Sequence, residues 1–165
     1  MNYDLLMRKA IEISAPYKYL VKPNPMVGAL IVKDGKILAE GAHEKFGEAH
    51  AEVNCFNSLK EKIEEDHVMI CTLEPCNHYG KTPPCTKKII ESGIKKIIIG
   101  SLDPNPKVAG TGIKTLKDAG LEVYRNLTLN TAQGAGIDEV SGSLLSLKGR
   151  QEGIHFHIGG HQYLS

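Results

Sequence analysis

One histidine and two cysteines in the middle of this chain set the strongest constraint on what it can fold into. His50, Cys76 and Cys85 supply one imidazole and two thiols, and Glu52 sits two residues from the imidazole. Each lies at a junction between regular elements. His50 and Glu52 fall at the start of an expected helix, Cys76 just after an expected strand, and Cys85 just ahead of a second helix. If the three are to share one metal ion, the fold must bring these junctions to one point.

The pattern around them alternates helices with short apolar strands. Leu6, Met7, Ala10, Ile11 and Ile13 have helical spacing over roughly Tyr3 to Leu20, with Pro16 placed to end or bend that helix. Val27 to Val32 and Ile37 to Ala39 flank Asp34-Gly35, a strong hairpin signal. A helix starting near His50 should carry Val53, Phe56 and Leu59 on its buried side. Strands are expected at Val68 to Thr72, Ile97 to Ile99 and Leu121 to Tyr124, and helices at Thr86 to Ser92, stopped by Gly93, and at Thr111 to Ala119. This order predicts an α/β fold, a three-layer α/β/α sandwich around a mixed central sheet. The hairpin makes the first strand pair antiparallel, and the strand–helix–strand units make the later pairs parallel.

Composition narrows the class. The 165 residues suffice for one domain with a real core. A net charge of +1 advertises no polyanion-binding surface, and the absence of Trp leaves few stacking platforms for single strands. A small-molecule substrate is therefore expected, and no nucleic acid. No apolar run reaches the length of a membrane span, and the Met1-Asn2-Tyr3-Asp4 start does not resemble a signal peptide. Two of the four cysteines lie in a metal-like context, so a reducing cytoplasm is the expected location.

Zinc takes thiolates and neutral imidazoles, and its catalytic sites keep one position for water. A carboxylate beside such a metal, but not bound to it, suits proton transfer. His50, Cys76 and Cys85 as ligands, with Glu52 as proton carrier, are the inventory of a zinc-dependent deaminase. Eight residues separate Cys76 from Cys85, where the general pattern has two. A closed structural zinc site is the bland alternative, with His78 as fourth ligand, but such a site has no use for Glu52 at that spacing. Cys55 and Cys71 read as small buried apolar residues, and His67 as part of a polar loop before a strand.

Longer stretches add a resemblance. Pro23-Asn24-Pro25-Met26-Val27-Gly28-Ala29, His50-Ala51-Glu52-Val53, the run from Thr72 to Cys85, Asp103-Pro104-Asn105-Pro106 and Val108-Ala109-Gly110 resemble the deaminase domain of the bifunctional riboflavin-biosynthesis deaminase/reductases, which have the cytidine-deaminase-like fold. The His78-Tyr79-Gly80-Lys81-Thr82-Pro83-Pro84-Cys85 loop is its most selective part. The resemblance implies zinc on His50, Cys76 and Cys85, Glu52 as proton shuttle, and a substrate pocket lined by Asn24, His43, His78, Lys81, Asp103 and Asn105. It implies hydrolytic loss of ammonia from 2,5-diamino-6-(5-phosphoribosylamino)pyrimidin-4-one, a phosphorylated pyrimidine, in a chain that self-associates. Lys81 supplies a cation for the phosphate, Asn24 an amide for the pyrimidine edge, and Asp103 and Asn105 partners for ribose hydroxyls.

The resemblance covers about Tyr3 to Val123. Residues 1–125 are read as the deaminase domain, and 126–165 as a divergent, poorly ordered tail. That tail holds seven of the 17 glycines and none of the eight prolines. Within it, Ile154 to Ile158 alternates like a strand, and His155, His157 and His161 form a weak candidate metal cluster. No Gly-rich dinucleotide fingerprint is present and the reductase domain is absent, so a separate reductase is expected for the next step. Two other readings stay open. One is a deaminase of the same fold acting on a nucleoside, a free base or transfer-RNA adenosine, and the other is a degenerate, non-catalytic domain.

Overall fold

Asn2 caps the first helix, α1 (Tyr3–Ser14), by accepting from the Leu5 amide at 3.2 Å. The helix buries Leu6, Met7 and Ala10, one turn's worth of apolar face. It ends at Ser14, and Pro16 falls in the 3₁₀ turn that follows (Ala15–Tyr17). The computed structural model describes residues 2–126 and 137–139.

Strands β1 (Gly28–Lys33) and β2 (Lys36–Ala42) form the expected antiparallel hairpin. Its turn residues Asp34 and Gly35 have φ of 50° and 76°, the left-handed pair that a two-residue hairpin demands. Next come α2 (Ala51–Ser58), β3 (Val68–Leu73), α3 (Cys85–Ser92), β4 (Lys96–Ser101), α4 (Thr111–Asp118) and β5 (Glu122–Asn126). A last strand, β6 (Ile137–Glu139), lies in the stretch that the sequence left unassigned. The sheet order is β2-β1-β3-β4-β5-β6. β3, β4 and β5 run parallel, while β1 pairs antiparallel with β3 and β6 antiparallel with β5.

The sheet is covered on both faces. Leu6, Met7 and Ala10 of α1 pack on Leu30, Val32, Val68, Ile70 and Ile98. Alternate residues of the same strands, Ala29, Ile31, Met69, Cys71, Ile97 and Ile99, face α2, α3 and α4 on the other side. Burial from two sides explains why β3 reads as continuous apolar sequence. The expected three-layer sandwich is therefore observed.

Two local expectations need correction. Phe56 and Leu59 of α2 do pack, half-buried, against the core, but the fully buried residues of the helix are Ala51, Glu52 and Cys55, and Val53 is only half-buried. The helix turns its first-turn carboxylate inward, towards the site. His67 does precede a strand, but it is fully buried, and its Nδ1 accepts from the Glu64 amide at 2.9 Å. The Ile154 to Ile158 strand and the His155, His157 and His161 cluster fall outside the described residues. Among the described residues no helix is long and apolar enough to cross a membrane.

Gly28 begins β1 directly beneath the Ala10 carbonyl of α1, and a Cβ there would overlap that backbone oxygen. A backbone obstacle cannot swing away as a side chain would. Gly28→Ala is expected to lower stability by roughly 1–3 kcal/mol. The check is a urea titration, in which the midpoint should fall at unchanged slope; an unchanged midpoint would refute the packing argument.

Candidate active site

Three junctions in the chain meet at one end of the sheet. His50 is the N-cap residue of α2, in extended conformation (φ −72°, ψ 164°), so its ring projects beyond the helix start. Cys76 follows β3, and Cys85 is the first residue of α3. His50 Nδ1 lies 3.6 Å from Cys76 Sγ and 3.4 Å from Cys85 Sγ. All three donor atoms fall within 4.8 Å of one another. Tetrahedral zinc with ordinary Zn–S and Zn–N bonds has N···S edges of about 3.5 Å, so the spacing and the donor chemistry both fit that ion.

The backbone supports this arrangement. The Cys85 amide, at the N-terminus of α3, donates to Cys76 Sγ at 3.3 Å, and the Thr86 amide donates to the Cys76 carbonyl at 3.2 Å. Hydrogen bonding from Cys85, aided by His50 and the Cys85 amide, brings Cys76 down to about 4, a thiolate at neutral pH. The same contact and burial push Cys85 upward. His50 is raised, chiefly by its hydrogen bond to Cys76. Cys55 and Cys71 are buried in the core as expected, and burial pushes Cys55 up to about 12 and Cys71 well above its ordinary value.

Glu52, in the first turn of α2, is only 3% exposed. Burial raises its carboxyl, offset in part by His50 and by a hydrogen bond with Cys85. That contact puts the carboxyl beside the three-donor cluster without making it a member. His78 lies in the exposed loop between the two cysteines and is not part of the cluster, which removes the closed four-ligand alternative.

The remaining candidates divide. His43 is 3% exposed and has both ring nitrogens engaged: Nδ1 is 3.1 Å from the Ala49 carbonyl and Nε2 is 3.2 Å from Asn24 Nδ2. A carbonyl only accepts, so Nδ1 carries the proton and Nε2 accepts from the Asn24 amide. This chain fixes which way the Asn24 amide points. Burial lowers His43, in keeping with a neutral ring, which also stands edge-on to His50 at 5.3 Å between centroids. Lys81 is exposed on the same loop as His78. Asp103 and Asn105 occupy one turn, where Asp103 Oδ1 accepts from the Asn105 amide at 2.8 Å and Asn105 Oδ1 from the Lys107 amide at 3.0 Å.

Sequence reading passed over Glu74. It is 5% exposed, and burial raises its carboxyl against four bonds from backbone amides. The available signal was an ionisable residue wedged between an apolar strand and Pro75-Cys76. A second group of possible metal donors, Glu64, Asp66 and His67, is already bridged by Lys33, whose Nζ lies 2.9 Å from Glu64 and 3.4 Å from Asp66.

Comparison with known proteins agrees with this geometry. Residues 1–101 match the family model described as the cytidine and deoxycytidylate deaminase zinc-binding region. A diaminohydroxyphosphoribosylamino-pyrimidine deaminase from Buchnera aphidicola is 50% identical over 133 residues, covering 81% of this chain and 90% of that protein. The riboflavin biosynthesis protein RibD of Aquifex aeolicus is 47% identical over 117 residues, but these are 33% of its length. A crystal structure of the Thermotoga maritima deaminase/5-amino-6-(5-phosphoribosylamino)uracil reductase superposes with a TM-score of 0.69 at 50% identity, covering 74% of this chain and 36% of that one. The chain thus spans nearly all of one relative and about a third of the two-activity proteins.

Proposed function

The chain belongs to the cytidine and deoxycytidylate deaminase family, and on that premise we propose that it removes the 2-amino group, as ammonia, from 2,5-diamino-6-(5-phosphoribosylamino)pyrimidin-4-one. The observation that carries this reading is the convergence of His50, Cys76 and Cys85 beside a buried, uncoordinated Glu52. His50, Cys76 and Cys85 would hold the zinc ion. When bound, zinc supplies the Lewis acidity that makes water a nucleophile near neutral pH. Glu52 takes one proton from the attacking water and gives it to the ring nitrogen. It then carries the second proton of that water to the amine, so that the C–N bond breaks, ammonia leaves and the new C–O bond becomes the carbonyl. Its burial keeps bulk water from competing for those protons.

Asn24, locked by His43, presents its amide to the pyrimidine edge. His78 and Lys81 reach from the exposed loop, with the Lys81 ammonium suited to the phosphate. Asp103 and Asn105 offer partners for the ribose hydroxyls from their held turn. The chain works as a self-associating deaminase on a free small molecule, not on nucleic acid.

Substrate class is tested by comparing the ribotide, its dephosphorylated riboside and cytidine as sources of ammonia. The ribotide should have the highest kcat/KM, and Lys81→Ala should erase most of its advantage over the riboside. Preference for cytidine would overturn the assignment in favour of a nucleoside deaminase, and zinc-loaded protein inactive on all three would favour a non-catalytic domain.

A further inference from the structure

We infer that Glu74 is a positioning residue: its side chain ties the turn bearing Asp103 and Asn105, together with the start of α4, to the strand end that leads into Cys76. For the substrate this rests on the function proposed above; the structural joint itself does not.

The geometry is specific. Glu74 Oε1 accepts from the amides of Asp103 at 3.1 Å and Gly110 at 3.0 Å. Its Oε2 accepts from Gly112 at 2.9 Å and Ile113 at 3.1 Å. Helix starts leave amides without partners, and α4 has Gly110 at its N-cap with no side-chain cap of its own. Glu74, from a different element, takes that capping role. With its other oxygen it holds the amide of Asp103, the residue proposed to meet the ribose.

The parts on each side of this joint are stiff. The Glu74 amide is fixed to the Ser101 carbonyl at 2.8 Å, and Cys76 follows two residues later. The 103–107 turn is braced by the Asp103 and Asn105 side-chain bonds. Gly112 presses so closely on the Pro75 carbonyl that a Cβ would overlap it. With stiff parts on both sides, changing the carboxylate loosens the turn and the start of α4 relative to the strand end without disturbing the strand itself. The Leu-Glu-Pro-Cys order therefore sets substrate turn and metal ligand in one register.

Glu74→Gln keeps the shape but points an amide donor at backbone donors, and Glu74→Asp keeps the charge but shortens the reach. In Glu74→Gln the KM for the ribotide should rise about tenfold with kcat within about twofold and zinc content unchanged. Hydrogen exchange should quicken at the amides of Asp103, Gly110, Gly112 and Ile113, and stay unchanged in β1 and β3. Glu74→Asp should fall between wild type and Glu74→Gln, and it decides the matter if the Gln variant does not fold. Unchanged exchange at those four amides, or a fall in kcat at constant KM, would overturn the inference. A wild-type protein inactive on the ribotide would sink the proposed substrate, while the exchange readout would still decide the role of Glu74.

Discussion

Glu52→Gln is expected to reduce ammonia release by roughly a hundredfold to ten-thousandfold, with zinc content and fold intact. Glu52 is not one of the three clustered donors, so its replacement leaves the metal cage complete. The amide is nearly isosteric and neutral, and it occupies a position only 3% exposed, where a charge is costly. The thermal midpoint should therefore be no lower than that of the wild type. Loss of activity without loss of stability or metal separates proton transfer from structural support. Metal analysis, a thermal scan and an ammonia assay on the same preparation check all three. Undiminished turnover would remove Glu52 from the mechanism.

Cys85→Ala should have the larger structural effect. It deletes one of three donors, and His50 and Cys76 cannot hold the ion alone with comparable strength. Zinc binding, activity and a share of the stability should be lost together, because an ion that binds only the folded chain stabilises it. At free zinc about a thousand times the dissociation constant that share is about 4 kcal/mol. Chelation of the wild-type protein should reproduce the loss, and added zinc should reverse it. Cys55→Ala is the control: that thiol is buried in the core, held protonated and remote in role from the metal, so zinc and activity should persist. Full zinc content in Cys85→Ala would contradict the ligand set.

The two variants probe what the sequence made most legible. Asp34-Gly35 announced the hairpin because only a few residues accept its left-handed turn, and the apolar runs announced β3 and β4 because both faces of the sheet are covered. His50, Cys76 and Cys85 could be paired from sequence because metal chemistry restricts the donors to a few residue types. Less visible was anything that depends on partners far along the chain. Periodicity pointed to Val53, Phe56 and Leu59 as the inner side of α2, and Phe56 and Leu59 do pack on the core, but the residues buried fully are Ala51, Glu52 and Cys55. His43 was read as lining the substrate pocket, but its two ring bonds, to Ala49 and Asn24, come from backbone and loop positions that no pattern announces. Glu74 was missed for the same reason, since all four of its donors are backbone amides and carry no residue signature. β6 is three residues long within a glycine-containing stretch, too short to show alternation.

The central claim is that three ligands and one free carboxylate make this chain a deaminase for a phosphorylated diaminopyrimidinone. The most direct measurement incubates the zinc-loaded protein with that ribotide and follows ammonia and the deaminated pyrimidine together. The account predicts equal, sustained release of both products, abolished by chelation and restored by zinc. Zinc-loaded, folded protein that leaves the ribotide intact would contradict it.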